Sequence, residues 1–248
     1  MKILLISDVH ANYDALAALD EAVGAVDLTV FAGDFLDWGF YPNETITWFR
    51  ERKHIAVLGN HDEMLIRKFR NPSYVIPAFE HSFAEYILGT ITTENLACLI
   101  QYPKAVSFEA DGVPYYMSHT FGEAFMGLET ALFSGQAGDL FERIWQEAGL
   151  PDAPQRRIVF GHSHMCGVFD VGEGRTFLNP GSLSYRKGED YIHFGGEYMV
   201  IEDTAITMGH LRYPAEDIAR RLDASDFTDD VKLCAGKFII NRGKETAR

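Results

Sequence analysis

Cysteine is scarce in this chain of 248 residues: Cys98, Cys166 and Cys234 are all it holds, an odd number with no Cys-x-x-Cys pair. That usage excludes a disulfide-stapled framework and a thiolate zinc site, and it predicts reduced thiols in a cytoplasmic protein. Basic residues are also short, with 22 Lys and Arg against 36 Asp and Glu and a net charge of −14. A surface of that sign repels phosphate backbones, which argues against extended nucleic-acid binding unless cations are held locally. Long apolar runs are missing too. Nothing approaches the ~20 consecutive apolar residues of a membrane span. The opening MKILLISDVH is broken by Ser7, Asp8 and His10, so it reads as a buried strand and not as a signal peptide. Repeats, low-complexity tracts and linkers are absent as well, which predicts a single domain over residues 1–248.

What is present is a large apolar fraction, 47%, enough for a substantial core. In the N-terminal half, short apolar strands (KILLIS, LTVFAG, HIAVLGN) alternate with helical patterns (ANYDALAALDEAVGA, PNETITWFRER, DEMLIRKFR). Such alternation predicts right-handed βαβ units and a mostly parallel sheet. Residues from about 64 to 101 read as helical, a cap-like segment beside the sheet. AVSFEADGVPYYMSH then reads as two strands around an Asp-Gly turn. A helix at AGDLFERIWQEAGL and four further strands follow, and a helical tail from about 214 frays into a polar end.

In open α/β sheets, ligands sit beyond the carboxyl ends of the strands. Here those ends carry Asp8-Val9-His10, Gly33-Asp34, Gly59-Asn60-His61-Asp62, His119 and Gly161-His162-Ser163-His164. Taken singly, each residue is ordinary, a turn former or a hydrogen-bonded core histidine. Five strand ends carrying them together are not. If Asp8 to His10 runs extended, alternation aims its two ligand side chains to one side, and His162 and His164 repeat that spacing. His54, His81, His193 and His210 lie away from these ends.

Carboxylate, imidazole and amide oxygen without thiolate suit manganese, iron or zinc in a reactive site. Seven candidate donors exceed what one ion needs. Two ions ~3.5–4 Å apart sharing a carboxylate form the arrangement that drives in-line displacement at phosphorus.

The blocks DVH at 8–10, GDFLD at 33–37, GNHD at 59–62, His119 and GHSH at 161–164 resemble, in order and spacing, those of the calcineurin-like metallophosphoesterases. The resemblance covers most of the chain. PNETITWFRERKHIAVLGNHD, LNPGSLSYR at 178–186 and the helix after LRYP are similar to a bacterial and archaeal branch of diadenosine-tetraphosphatase-like phosphodiesterases. It implies an α/β fold, a four-layer α-β-β-α sandwich of two mixed sheets flanked by helices. It also implies that Asp8, His10 and His164 hold one divalent ion, that Asn60, His119 and His162 hold another, and that Asp34 bridges them. Manganese stands first among the metals, with iron, zinc, nickel and cobalt as alternatives. A hydroxide between the ions would be the nucleophile, because a bound metal draws the pKa of water from ~15.7 toward ~7. His61 would act on the phosphoryl group or the leaving oxygen, with Asp37 orienting it.

Two departures bear on substrate. Relatives that act on phosphoproteins or dinucleoside polyphosphates place an Arg where this chain has Trp38, and an indole lacks the guanidinium's bidentate fork. Trp38 is therefore a candidate to stack on a base, to line an apolar subsite, or to pack its own loop. After His119 the branch has Gly-Ser-Pro, whereas this chain has Thr120-Phe121-Gly122. Arg186 is a candidate for the missing cation. The expectation is a two-metal phosphodiesterase acting on a small or nucleotide-like phosphoester. Dinucleoside polyphosphate hydrolysis, phosphomonoester hydrolysis and a non-catalytic scaffold are the alternatives, and the oligomeric state is left open.

Overall fold

β1 (Lys2–Ile6), β2 (Leu28–Phe31) and β3 (His54–Ala56) run parallel in a computed structural model of the chain. The structure describes residues 1–76, 78–121, 128, 131, 132, 134, 136–184 and 195–238. β9 (Gly196–Glu202) pairs antiparallel with β1, and β10 (Ala205–Leu211) with β9, which gives the order β10-β9-β1-β2-β3. A second sheet has the order β4-β5-β6-β8-β7, from β4 (Ala105–Ala110), β5 (Val113–Ser118), β6 (Arg156–Val159), β7 (Gly167–Asp170) and β8 (Arg175–Asn179). Its inner pairs, β5 with β6 and β6 with β8, are parallel, and its edges are antiparallel. Both sheets are mixed, as expected. The Asp-Gly turn forms as predicted: Asp111 and Gly112 take φ of 50° and 73°, the two positive values that a tight hairpin requires.

Alternation along each strand builds the layers. Ile3, Leu5 and Val30 of the first sheet meet Val113, Tyr115, Met117, Val159 and Leu178 of the second in a shared inner core. Leu4, Ile6 and Phe31 point the other way, into a helical layer. Burial on both faces is why β1 reads as an unbroken apolar run.

That outer layer contains α1 (Tyr13–Val23), α2 (Pro42–Arg50), α3 (Asn60–Arg70), α4 (Ala78–Thr90) and α5 (Thr93–Leu99). Asn12 caps α1 by accepting from the Ala15 N–H at 3.2 Å, and Pro42 opens α2, where its missing N–H costs nothing. The stretch 64–101 is built from the end of α3, α4 and α5, and Leu65, Phe83, Ile87, Leu96 and Leu99 join the first sheet's outer core. On the far side, α6 (Ala137–Glu147) lays Phe141, Ile144 and Trp145 over Ile158, Phe160 and Phe177.

The tail is helical at α7 (Ala215–Ala224) and at a further helix, α8 (Asp229–Phe238), and the polar end beyond it lies outside the described residues. Val231 and Ala235, one helical turn apart, bury into the outer core, and Phe227 packs against Tyr86 at a ring separation of 4.6 Å. Two small apolar residues among charged neighbours give too narrow a stripe to stand out in the sequence. Among the described residues no helix is long and apolar enough to cross a membrane.

Candidate metal centre

The loops that follow β1, β2, β3, β5 and β6 converge on one site, and they bring together all seven candidate ligands. Their backbone differs from the extended path expected. Asp8 and His10 take φ of 54° and 51°, and Asp34, His162 and His164 take 62°, 66° and 57°. Left-handed backbone is uncommon outside glycine, and Asp, Asn and His tolerate it best. The physical reason lies in the loop pairing. The N–H groups of Asp8, Val9 and His10 turn to the carbonyls of Gly33 (2.9 Å) and Asp34 (3.0 Å each), locking the β1 and β2 loops together. Asp8 and His10 thus reach the same site through a tight turn and not through strand alternation.

Two donor groups result. In one, His164 Nε2 lies 2.9 Å and His10 Nε2 3.8 Å from Asp8 Oδ1. In the other, His119 Nε2 lies 3.1 Å from Asp34 Oδ2 and 3.1 Å from Asn60 Oδ1, and His162 Nδ1 is 2.7 Å from that same amide oxygen. His162 and His164 therefore serve different groups. Asp34 Oδ2 also comes within 4.0 Å of His10 Nε2, and Asp8 Oδ1 within 4.0 Å of His119 Nε2, so both carboxylates stand between the groups. The Ala32 carbonyl, 2.7 Å from His119 Nδ1, accepts its proton and turns Nε2 toward the carboxylates.

Asp62 was not singled out by its residue type, yet it organises the site. Its Oδ2 accepts from the N–H groups of Asp34 (3.0 Å), Phe35 (3.1 Å) and Gly59 (2.9 Å), and its Oδ1 from Leu36 (3.1 Å). The readable signal was an Asp three residues after a helix-capping glycine, half of a capping box. Burial and the Asp34 charge push its carboxyl up, against the pull of the four N–H groups. Gly59 is required here for space: a Cβ would lie 2.0 Å from Asp34 Oδ1.

The electrostatics suit cations. Burial disfavours charge on Asp8 and Asp34, but nearby imidazoles, His164 and His119 for Asp8 and His119 and His61 for Asp34, hold both well below the usual carboxylate range. Burial drives His10 down to about 3, so its ring is neutral with a lone pair to offer. Both His10 nitrogens are buried without a hydrogen-bond partner among the described residues. Donors about 2.1 Å from one ion stand roughly 3 Å apart along an octahedral edge, which matches the closer spacings here. The donor set fits divalent cations.

Beside it, His61 Nδ1 is 2.7 Å from Asp37 Oδ2, and the His61 and His10 rings sit edge to face at 5.2 Å. Trp38 is 4% exposed, edge-on to His61 at 5.7 Å and tilted against Phe83 at 6.2 Å, which leaves little of its face for stacking on a base. Arg186 lies outside the described residues, as does Gly122 in the loop after His119.

The domain of the calcineurin-like phosphoesterase superfamily matches residues 1–204. An uncharacterized protein of Methanocaldococcus jannaschii is 25% identical over 245 residues, covering 97% of this chain and 93% of its own length. A solved metallophosphoesterase from Sphaerobacter thermophilus superposes with a TM-score of 0.66 at 21% identity, covering 95% of this chain and 98% of that one. A hypothetical protein from Pyrococcus horikoshii reaches 0.71 at 12% identity, covering 96% and 98%. At such identities the structural likeness establishes the shared fold. The domain match goes further, because residues 1–204 include all five loops that carry the candidate ligands: this chain belongs to the calcineurin-like phosphoesterase superfamily and is a metal-dependent phosphoester hydrolase.

Proposed function

We propose that the chain is a two-metal phosphodiesterase acting on a small or nucleotide-like phosphoester, with manganese as the working metal. One observation carries this reading: two donor groups flank a pair of buried carboxylates, with an Asp-tethered histidine beside them. Asp8, His10 and His164 would hold one ion, Asn60, His119 and His162 the other, and Asp34 both. When bound, the ions supply Lewis acidity and a nucleophile ionised at neutral pH.

The chain's own residues do the rest. Asp37 accepts from His61 Nδ1, fixes the ring's orientation and stabilises it when doubly protonated, so that Nε2 can give a proton to the departing oxygen. Trp38 backs the other side of His61 and limits its swing. The loop after β2 offers an indole where a guanidinium fork would grip extra phosphate charge, which favours a singly charged diester over a dianionic monoester. Reduced thiols, a strongly acidic surface and the lack of a membrane-crossing helix among the described residues support a cytoplasmic setting.

The test is hydrolysis of bis(p-nitrophenyl) phosphate, p-nitrophenyl phosphate and diadenosine tetraphosphate by protein loaded with Mn, Ni, Co or Zn. Diester turnover above that of the other two is expected. Preference for the monoester or the dinucleotide replaces the diester reading, and no turnover with any metal overturns it.

A further inference from the structure

Between β8 of the second sheet and β9 of the first, the chain passes behind the ligand loops as Asn179–Ser184, part of the LNPGSLSYR stretch whose residues before Arg186 have been given no chemical role. Its polar groups point into those loops. Asn179 Nδ2 donates to the Gly161 carbonyl (3.2 Å) and to Ser163 Oγ (2.8 Å). Ser182 Oγ donates to the Asp8 carbonyl (2.9 Å), the Leu183 N–H to the Ser7 carbonyl (3.0 Å), and Ser184 Oγ to the Val9 carbonyl. The segment is itself braced. The Gly181 N–H bonds Asn179 Oδ1 at 2.9 Å, the Glu197 N–H the Ser182 carbonyl at 2.8 Å, and Tyr213 OH the Ser184 carbonyl at 2.9 Å. Asn179, Ser182 and Ser184 are all buried.

These contacts answer a need set by the backbone. Asp8 and His10 adopt left-handed φ, a conformation that persists only where its surroundings over-determine it. The turn also aims the Asp8 and Val9 carbonyls away from any strand ladder and into the interior, where an unpaired carbonyl is costly; the Val9 carbonyl additionally takes the Asn12 N–H at 3.1 Å. Two serine hydroxyls meet those two carbonyls. Asn179, on the same segment, holds the loop that carries His164. Asp8 and His10 come from the first sheet and His164 from the second, so this one connection joins the two sources of a single donor group.

We propose that Asn179, Ser182 and Ser184 are positioning residues for the Asp8–His10–His164 group and set the affinity of one of two metal-binding events. The inference rests on the two-metal reading above. None of the three presents a donor to the ion; they act through the backbone of the ligand loops.

The experiment is an equilibrium Mn2+ titration of Ser182→Ala/Ser184→Ala protein, with free Mn2+ counted by electron paramagnetic resonance. Outer partners of metal ligands typically contribute about 10–100-fold in affinity, so one event should weaken by that factor while the other stays within about threefold. Circular dichroism and a melting curve in chelator establish that the variant folds, and the single variant Ser182→Ala serves if the double does not. Ser182→Thr, which restores a hydroxyl, should recover affinity. Asp8→Asn separates the two readings. A single binding event in wild-type protein would show the two-metal reading wrong, and Asp8→Asn that leaves both events intact would show that Asp8 holds neither ion. If it removes one event while the serine variants bind as wild type, the positioning proposal is overturned. Equal weakening of both events, matched by the core variant Ile201→Val at the same loss of Tm, would overturn it too, since the serines would then contribute only general stability.

Discussion

His61 Nδ1 is held 2.7 Å from Oδ2 of Asp37, a carboxylate with no solvent exposure, while the His61 side chain keeps 16% of its surface open. One edge of the ring is tethered inside the protein and the rest reaches outward beside the donor cluster. Neither residue belongs to the two donor groups, so chemistry and metal binding should separate on mutation. Asp37→Asn keeps the shape and removes the charge. Its kcat should fall about 100-fold, within the ~10²–10⁴-fold span of general acid–base catalysis, with His61→Ala at or below it. Mn2+ affinity measured by titration should be unchanged in both. A parallel loss of metal would show that the pair serves the ligand loops instead.

Removing metal should expose the electrostatics of the empty donors. Burial opposes charge on His119, yet the Asp34 and Asp8 carboxylates hold it up to about 9 from an ordinary 6.5. In metal-free protein this ion pairing contributes stability that is complete below pH 6.5 and is lost as pH rises through about 9. An ion bound at His119 must displace that proton, so affinity moves the opposite way and climbs across the same window. The gain in Tm on adding Mn2+ in place of chelator should therefore widen from pH 6.5 toward 9. At free metal 100 times Kd the stabilisation reaches about 2.7 kcal/mol. A gain that is flat or shrinking with pH contradicts this account of His119.

Gly59→Ala should cost more than its size implies. The added methyl would lie 2.0 Å from Asp34 Oδ1 and 2.4 Å from Asp34 N, and backbone cannot yield as a flexible side chain can. The His61 N–H bond to Asp34 Oδ1, 2.9 Å long, breaks when that carboxylate moves. Overpacking of this kind costs about 1–3 kcal/mol. The Tm in chelator should drop accordingly, and Mn2+ binding should weaken beyond what the Tm loss explains. Wild-type affinity would show that Asp34 is not a shared ligand.

Much of this site was legible because its chemistry is carried by residue type at strand ends. Asp8, His10, Asp34, Asn60, His119, His162 and His164 had to sit beyond the sheets' carboxyl edges, and the strands were readable from their apolar runs. Their route into the site was not. Left-handed backbone at Asp and His leaves no mark in a sequence as glycine would, so Asp8 to His10 read as extended when it is a tight turn. The supporting groups were hidden for a related reason. Ser182 and Ser184 act through backbone carbonyls far away in sequence, a relation that no local pattern encodes. The helical tail was legible, but not that Val231 and Ala235 of α8 bury into the outer core, a packing partner far away in sequence.

Asp62 offers the sharpest separation of scaffold from ligand. Its two oxygens take four N–H groups, three from Asp34, Phe35 and Leu36 and one from Gly59, which fastens the β2 loop to the start of α3. Asn at this position has one accepting oxygen. Placed where Oδ2 stands, that oxygen keeps the bonds to Asp34, Phe35 and Gly59 and turns its NH2 onto the Leu36 N–H. Two buried donors, the Leu36 N–H and the amide NH2, are then unsatisfied, each at a cost of about 1–3 kcal/mol. Asp62→Asn should lose that much in urea unfolding and still bind Mn2+ near wild-type affinity, because the Asp34 amide remains anchored. Asp62→Ala abandons all four donors, so the β2 loop should open and the event that depends on Asp34 should fail. The order wild type, Asn, Ala should hold for stability, whereas metal binding should break only at Ala. Equal metal loss in both variants would mean that the charge of Asp62, and not its hydrogen bonds, holds the centre.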